Sequence, residues 1–324
     1  TNRSTTGPSA SVELEDLVTQ GGEAADLGPP PGPPPVPEDW RRSDIELGGQ
    51  PLYGAGIELF GLRKVPLVDR ESVRDELWRE LMTVRRVESP RGVLLAGPAG
   101  TGKTRLVEWL ATRAHELGAV EVVKATHSPG AGHRQGIVPM LTRHFRCTGL
   151  DWSEAFGRLR QTLAKLKLDE STALHYAAGL LDAMGVERSD DAARAARFRD
   201  IDERRRAIGD ILVEMSRERP LVVWLDDVQW GTDAAELADQ LLTGQPAAPI
   251  VIVMTARRNS VDAAPGAIRL LNRMEEHERC RLLEIESLSE EHIGQLVRRV
   301  LDLDDRLVEE VVDRSEGNPL FAIQ

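Results

Sequence analysis

Eight residues, 97–104, constrain the fold of this chain more than any other segment. They stand between an apolar, strand-like run and an amphipathic, helix-like run. Gly97, Gly102, Lys103 and Thr104 fit the pattern G-x-x-x-x-G-K-[ST]. Glycines let backbone N–H groups turn inward around an anion, and the N-terminus of the following helix adds positive potential. The segment therefore predicts a phosphate-binding loop between a buried strand and a helix.

Each residue type in this loop has a predicted role in holding a nucleoside triphosphate. Lys103 is expected to contact the β- and γ-phosphates, which makes it a catalytic as well as a binding candidate, and the hydroxyl of Thr104 to ligate Mg²⁺. The alternative is a glycine-rich turn with an ordinary surface lysine. The candidate binding residues here are Gly97, Pro98, Ala99, Gly100, Thr101, Gly102, Lys103, Thr104 and Arg105.

Two runs, 221–225 and 250–254, are apolar throughout and do not alternate with polar residues. Such strands are covered on both faces, which is typical of a parallel sheet between helical layers. The predicted strands are 92–96, 120–126, 221–226, 250–256 and 280–285. Predicted helices are 104–117, 136–145, 152–166, 171–184, 192–218, 233–242, 289–301 and 306–314, and helical spacing also runs through 67–87. The fold class is therefore α/β.

A second candidate site follows the strand at 221–226, which ends in Asp226 and Asp227. Asp226 is expected to hold Mg²⁺ through its water shell, together with Thr104. Asp227 is the candidate general base that polarises the attacking water. Two solvated aspartates at a strand end are the alternative, but their position downstream of the phosphate-binding loop favours the catalytic interpretation.

A third candidate lies at the end of the strand at 250–256, where Thr255 precedes the pair Arg257 and Arg258. A strand lying beside the phosphate-loop strand would deliver a polar residue next to the γ-phosphate. Arg257 is the predicted sensor of that phosphate, and Arg258 is the second choice because the sequence does not fix the register. An ordinary surface arginine is the alternative.

Together these motifs resemble the nucleotide-binding module of the STAND ATPases (signal transduction ATPases with numerous domains). More narrowly, they are similar to the bacterial AAA-type ATPase domain that precedes helical repeats in large regulators and some serine/threonine kinases. The resemblance covers residues 59–324. It rests on 67–71, 97–104, the Leu-Asp-Asp-Val-Gln-Trp segment 225–230, 255–257, and the Gly-Asn-Pro-Leu-Phe segment 317–321.

The resemblance implies a P-loop fold whose five-stranded parallel sheet has an added strand between the phosphate-loop strand and the Asp-Asp strand. A small helical subdomain follows, and its Gly-x-Pro turn, which ends here at Pro319, closes over the adenine side. A helix-terminating proline is the alternative. A Val-Gly-Arg-Glu motif usually helps to hold the adenosine, which makes Val68 and Arg70 candidate binding residues. In this sequence Asp69 stands in place of the glycine.

Three parts are predicted along the chain. Residues 1–57 form a proline-rich flexible linker or tail, whose run at 29–37 is a spacer or a ligand for a proline-binding module. Residues 58–287 form the nucleotide-binding domain, and 288–324 form the start of a helical lid. Because the chain starts at Thr1 and stops within a helical pattern, we expect a longer protein with flanking effector and repeat domains.

The formal net charge is -12, from 41 Lys and Arg against 53 Asp and Glu. This balance argues against a broad nucleic-acid or anionic-membrane surface. The two cysteines, Cys147 and Cys280, lack metal or redox spacing, which indicates reduced thiols in a cytoplasmic protein. Three consecutive arginines at 204–206 are either a solvated helix face or an arginine finger for a neighbour.

The main functional hypothesis is a signalling ATPase switch with ATP or ADP and Mg²⁺ as cofactors. The resemblance implies that ADP holds a closed form and that ATP favours opening and possible self-assembly. Only the γ-phosphate distinguishes the two nucleotides, so a sensor such as Arg257 must convert it into a domain movement. The alternatives are a nucleotide-binding scaffold without turnover and, less favoured by the negative charge, a DNA-handling P-loop ATPase.

Overall fold

The computed structural model describes residues 37–41, 65–130, 135–186, 197–244, 246–258, 260, 262–301 and 303–324. Its strands are β1 (Arg91–Ala96), β2 (Glu121–Thr126), β3 (Leu221–Asp226), β4 (Ile250–Ala256) and β5 (Cys280–Glu284). Its first helices are α1 (Glu71–Val87), α2 (Lys103–Glu116), α3 (Ile137–His144), α4 (Trp152–Leu163), α5 (Glu170–Ala183) and α6 (Ile201–Ser216). The later helices are α7 (Thr232–Gly244), α8 (Pro265–Glu275), α9 (Glu290–Val300), α10 (Asp305–Ser315) and α11 (Pro319–Ile323). A short 3-10 helix, Val228–Trp230, follows β3.

The five strands form one parallel sheet in the order β2-β3-β4-β1-β5. β4 lies between the phosphate-loop strand and the acid strand, as the resemblance implied. The register pairs Leu95 of β1 with Thr255 of β4, and Leu225 of β3 with Met254 of β4. The carboxyl ends of these three strands therefore meet at one edge, where open parallel sheets bind ligands. The predicted α/β P-loop fold is confirmed.

Both faces of the sheet are covered, as the unbroken apolar runs predicted. Every residue of β3 and β4 is buried. One face packs against α1 and α2, with Leu81, Leu106 and Trp224 in the shared core. The opposite face packs against α3 to α8, with Leu94 and Ile211 in that core. Truncating a buried leucine to alanine typically costs about 2–5 kcal/mol, so these two layers hold the site-bearing strands firmly.

Two differences from the predicted elements stand out: α8 lies where no helix was predicted, and the helix expected at 192–218 begins late. α6 begins only at Ile201, because the side chain of Asp200 caps it by accepting a hydrogen bond from the Glu203 amide at 2.7 Å. Residues 187–196 lie outside the described residues, so the start of that prediction has no structural counterpart here. Most other boundaries differ from the prediction by a few residues at most.

The three C-terminal helices form a small subdomain, as predicted. Its own core contains Leu288, Ile293, Val297 and Val308. Ser289 caps α9, since its hydroxyl accepts a hydrogen bond from the backbone amide of the third helical residue. β5 ends five residues before this cap. The predicted domain boundaries at 57/58 and 287/288 stay predictions.

Residues 37–41, which fall within the predicted tail, pack against α1 and α2, and we call them the docking segment. The indole Nε1 of Trp40 donates to Oδ1 of Asp75 at 2.8 Å, and the Trp40 ring meets Trp109 edge-on with centroids 4.9 Å apart. Arg113 of α2 donates to the Trp40 carbonyl at 2.9 Å, and Trp78 of α1 donates to the Pro37 carbonyl at 2.8 Å. The polyproline run itself lies outside the described residues.

None of the described helices combines the length and the apolarity needed to cross a membrane. Both cysteines are free and buried. Burial raises the pKa of the Cys280 thiol to about 12. Of the three arginines at 204–206, Arg205 pairs with Asp202 and Glu236 of its own chain, which favours a helix face over an arginine finger.

Candidate functional site

The loop between β1 and α2 needs glycine where other parts of the chain approach it. A Cβ atom at Gly97 would lie 2.2 Å from the carbonyl oxygen of Ile285. Gly100 has a left-handed φ of 81°, and a Cβ atom there would lie 2.3 Å from Oδ1 of Asn318. No side chain fits at either distance. Steric contact therefore explains glycine at Gly97 and Gly100, whereas at Gly102, where the Cβ position is open, the left-handed φ of 93° favours it.

Lys103 is the first residue of α2, and its buried ammonium group lies over the start of the loop. Nζ donates hydrogen bonds to the carbonyl oxygens of Gly97 at 2.9 Å and Pro98 at 2.5 Å. Burial lowers the pKa of Lys103 to about 8, and the nearby carboxylates of Asp227 and Asp226 oppose that shift. An ammonium group in this position can exchange carbonyl partners for phosphate oxygens, as its predicted role requires.

Thr104 and Asp226 meet although they are 122 positions apart in the sequence. The Thr104 hydroxyl donates to Oδ1 of Asp226 at 3.0 Å. The Thr255 hydroxyl donates to the same carboxylate oxygen at 2.7 Å, and Asp226 is only 5% exposed. Hydroxyl and carboxylate oxygens are the ligands that Mg²⁺ prefers, so this pair fits the predicted metal position. Thr255, which the sequence presented only as a neighbour of Arg257, fixes the orientation of Asp226.

Asp227 directly follows β3 and has a left-handed backbone conformation, with φ 53°. Aspartate tolerates this region better than most residues. Its backbone amide donates to the Thr255 hydroxyl at 2.8 Å, and its Oδ1 accepts a hydrogen bond from Nε2 of Gln229 at 3.1 Å. Gln229 is fully buried. It is absent from the residues predicted from the sequence, although a glutamine between Val228 and Trp230 in a buried turn was a usable signal.

The structure distinguishes the two arginines at the end of β4. Nε of Arg257 lies 3.5 Å from Oδ1 of Asp227, and its guanidinium lies 4.9 Å from the centre of the Trp230 ring. Arg258 instead pairs with Glu284 and Glu275, away from that carboxylate. The geometry therefore brings the first-choice sensor to the candidate base. Trp230 supports this arginine through a cation–π contact.

The Val68–Arg70 segment has an unusual backbone. Val68 is buried, whereas Asp69 and Arg70 both have left-handed φ values, of 60° and 73°. Glycine adopts this backbone without strain, and aspartate is among the residues that adopt it at low cost. Arg70 donates to the Glu286 carbonyl, and burial lowers its pKa. The Asp69 carboxylate faces the helical subdomain, 3.8 Å from Nδ1 of His292.

Two further loop candidates are engaged by their own chain. The Arg105 guanidinium donates to the Val65 carbonyl at 2.7 Å and pairs with Glu108 at 2.6 Å. The Thr101 hydroxyl donates to the Pro98 carbonyl at 3.1 Å. Both interactions brace the loop and the segment before α1. A direct role of either side chain in holding a nucleotide stays a prediction.

Pro319 begins α11 rather than ending a helix, because α10 ends at Ser315. Proline at the first helical position is favoured, since its missing N–H would be unpaired there anyway. Asn318 caps this helix and also reaches the phosphate loop, where its Nδ2 donates to the Ala99 carbonyl at 2.9 Å. The Gly-x-Pro turn thus contacts the loop directly through its middle residue. Asn318 is not among the residues predicted for the site.

A cavity of about 590 Å³ opens beside the start of the phosphate loop. It is lined by 97–99 of the loop, by Arg257, Arg258 and Ser260 after β4, and by 284–287 after β5. Arg257, which pairs with Asp227, is part of this lining, and so are Gly97 and Pro98, whose carbonyl oxygens accept hydrogen bonds from the Lys103 ammonium group. The site therefore has open space next to the groups expected to meet a terminal phosphate.

A glycine-rich loop, a lysine at the helix start and a buried acid at the end of another strand of the same parallel sheet define a P-loop nucleoside triphosphatase fold. The family model described as the AAA ATPase domain matches residues 66–253. This match spans more than half of the chain, which therefore belongs to that family. The AAA-type ATPase domain expected from the sequence is confirmed.

Similar proteins were found among curated sequences and solved structures. Human ATPase family gene 2 protein homolog B is 38% identical over 93 residues, which are 27% of this chain and 12% of that protein. The chain thus spans about an eighth of the length of that relative. The ADP form of the ORC2 protein of Aeropyrum pernix gives a TM-score of 0.47 at 14% identity, over 81% of this chain and 63% of that one. A STAND protein with a tetratricopeptide repeat sensor from Pyrococcus horikoshii gives a TM-score of 0.33 at 14% identity, over 74% and 28%.

Proposed function

We propose that this domain binds ATP with Mg²⁺, hydrolyses it slowly, and acts as a nucleotide-controlled switch within a larger regulatory protein. The observation that carries the proposal is the 3.0 Å hydrogen bond between Thr104 and Asp226. It places the loop hydroxyl and the strand acid in contact, as a shared metal ion requires. A bound Mg²⁺ would neutralise charge on the phosphates and help to align them.

Different residues of this chain have different roles in the proposed reaction. The loop amides and Lys103 bind and orient the phosphates, while Thr104 and Asp226 hold the metal. Asp227 accepts a proton from the attacking water, and Arg257 detects the γ-phosphate from the end of β4. Arg257 lines the cavity that adjoins the loop, and it pairs with Asp227.

The Val68–Arg70 segment and the turn at Pro319 are proposed to recognise the adenine. The switch is proposed to act through the helical subdomain, because Asn318 already contacts the loop at Ala99. We also propose that effector and repeat domains flank this domain in a longer chain. The protein is proposed to self-assemble when ATP is bound and to be located in the cytoplasm. The net charge of -12 favours partners other than nucleic acid or anionic membranes.

Steady-state phosphate release with Mg²⁺ and ATP tests the proposed turnover. We expect slow hydrolysis that is lost in Asp227→Ala and Lys103→Ala. Arg258→Ala, whose guanidinium pairs with Glu284, is the matched control for Arg257→Ala and should retain turnover while Arg257→Ala loses it. Unchanged rates in both Asp227→Ala and Lys103→Ala would contradict the proposal.

A second candidate, a nucleotide-binding scaffold without turnover, has one observation in its favour. Oδ1 of Asp227, the candidate base, is already contacted by both Gln229 and Arg257 of its own chain. Tight ATP binding with no phosphate release, in the wild-type chain and in Arg257→Ala alike, would support the scaffold over the switch.

A further inference from the structure

Gln229 bridges the two groups on which the proposed hydrolysis depends. Its Nε2 donates to Oδ1 of Asp227 at 3.1 Å, and its Oε1 accepts a hydrogen bond from the backbone amide of Arg257 at 3.2 Å. The nitrogen and the oxygen of this side-chain amide are thus both hydrogen-bonded. The nitrogen bonds the residue that follows β3, and the oxygen bonds the residue that follows β4. Gln229 itself is fully buried, and both of its side-chain hydrogen bonds are part-buried.

The backbone of Gln229 is fixed as firmly as its side chain. Its carbonyl oxygen accepts a hydrogen bond from the Ala264 amide at 2.9 Å, just before α8. The Thr255 hydroxyl joins the same two strand ends from the other side, through Asp226 and the Asp227 amide. The turn after β3 and the segment after β4 are therefore tied together at three points.

Arg257 and Gln229 contact the same carboxylate oxygen of Asp227 in different ways. The Arg257 side chain is 41% exposed and makes a long ion pair of 3.5 Å, so it can leave for an incoming phosphate. Gln229 is itself fully buried, and its bond to Arg257 involves the backbone of that residue rather than its side chain. The guanidinium can therefore move while its pivot and the Asp227 carboxylate stay in place.

We propose that Gln229 is a positioning residue that holds the base Asp227 and the pivot of the sensor Arg257 in one fixed geometry. This inference rests on the proposed function, because it assigns Gln229 to the same hydrolytic site. The amide touches neither nucleotide nor water; it acts through the two residues that do. Loss of the two Gln229 hydrogen bonds should leave the phosphate-binding loop intact. The Asp227 carboxylate would then no longer be held in a fixed position relative to Arg257.

Two variants change the hydrogen bonds of Gln229 in different ways. Gln229→Met keeps the length of the side chain and loses both hydrogen bonds. Gln229→Glu keeps an acceptor for the Arg257 amide but places a carboxylate against Asp227 in place of the donor. Thr142→Val, which removes a buried hydrogen bond within α3, controls for a general loss of stability.

For Gln229→Met we expect ADP affinity within about twofold of wild type and kcat lower by about 100-fold, since misplacement by about 1 Å costs that much. The KM for ATP should change much less than kcat. Gln229→Glu should also lose turnover, and Thr142→Val should keep it. In the double variant Gln229→Met with Arg257→Ala, the loss should be far smaller than the product of the two single losses.

A readout without turnover keeps the inference separate from the proposed function. The preference for ATP over ADP, measured by calorimetry, should fall in Gln229→Met as it does in Arg257→Ala. No phosphate release by the wild-type chain would overturn the hydrolytic proposal alone. Wild-type turnover and wild-type ATP preference in Gln229→Met, or fully multiplicative losses in the double variant, would overturn the role of Gln229.

Discussion

Asn318 of the helical subdomain donates a hydrogen bond from Nδ2 to the carbonyl oxygen of Ala99 in the phosphate loop, at 2.9 Å. Its Oδ1 accepts a bond from the Leu320 amide at 3.0 Å, and Leu320 also donates to the Gly100 carbonyl at 3.4 Å. One side chain therefore caps α11 and fastens it to the loop. In the proposed switch, a movement of the loop on nucleotide binding would act on this helix at its first turn.

Asn318→Asp tests that connection, because aspartate keeps the capping oxygen but replaces the donor that faces Ala99. We expect faster hydrogen exchange at residues 319–323 and weaker ADP affinity, since a carboxylate then faces a carbonyl oxygen. The bond is exposed, and an intramolecular hydrogen bond typically contributes about 0.5–1.5 kcal/mol. Asn318→Ala, which loses cap and donor together, should have the larger effect. Unchanged exchange in both variants would argue that the contact is incidental.

Alanine at two glycines should have opposite effects on stability. At Gly100 the left-handed φ of 81° and the contact with Asn318 leave no room for Cβ, so Gly100→Ala should weaken nucleotide binding and loosen the helical subdomain. Gly157 lies inside α4 with open space around its Cβ position. Gly157→Ala should therefore stabilise the domain by about 0.5–1 kcal/mol. Thermal unfolding of both variants gives the comparison, and equal shifts would contradict the steric argument.

Lys103 predicts a pH dependence of stability in the protein free of nucleotide and metal. Burial lowers its pKa to about 8 in the folded chain, whereas an unfolded lysine titrates near 10.4. Between these values the unfolded chain holds a proton that the folded chain has lost, so the contribution of Lys103 to stability rises with pH across this window. Below it, the buried charge lowers stability.

Urea unfolding of wild type and Lys103→Met, from about pH 7 to pH 10, measures this effect. At neutral pH the variant should be the more stable of the two, and its advantage should shrink as the pH rises. Lys165→Met, at an exposed lysine, controls for the loss of an ammonium group. A stability difference that is constant over the whole range would show that Lys103 does not carry the predicted penalty.

Trp40 predicts that the docking segment stabilises the nucleotide-binding domain. Its indole hydrogen bond to Asp75 and its edge-on contact with Trp109 are both lost in Trp40→Ala. An aromatic pair contributes about 0.5–1.5 kcal/mol beyond the area that it buries, so a loss of about 1–3 kcal/mol is expected. Glu38→Ala, at an exposed residue of the same segment, should have little effect. Equal unfolding midpoints for Trp40→Ala and wild type would exclude such a contribution.

The fold was predictable because its signals are local. The apolar runs of β3 and β4, the spacing of Gly97, Lys103 and Thr104, and the acids that end β3 each follow from a few consecutive residues. Together they give the parallel sheet and the edge at which the site lies. The register of β4, and with it the choice between Arg257 and Arg258, needed the structure because it depends on pairing between distant segments.

The residues that were not predicted act through contacts that no sequence period records. Asn318 and Ala99 are 219 positions apart, and Trp40 and Arg113 are 73 apart. Gln229 is close to Asp227 in sequence, but its second partner is 28 positions away. Each is a polar or aromatic side chain whose role appears only when tertiary packing supplies the partner. Asp69 is a different case. The sequence showed only that aspartate stands where the resemblance expected glycine, and the structure adds that this position has a left-handed backbone, which aspartate tolerates.

The proposed function requires a divalent ion that joins Thr104 and Asp226 to a bound nucleotide. Calorimetric titration of ATP with and without Mg²⁺ measures this most directly, using wild type, Thr104→Val and Asp226→Asn. We predict that Mg²⁺ tightens ATP binding to wild type by about tenfold or more, equivalent to at least ~1.4 kcal/mol, and that this gain is lost in both variants. The same gain from Mg²⁺ in wild type and in both variants, or no ATP binding by the wild-type chain, would contradict the account.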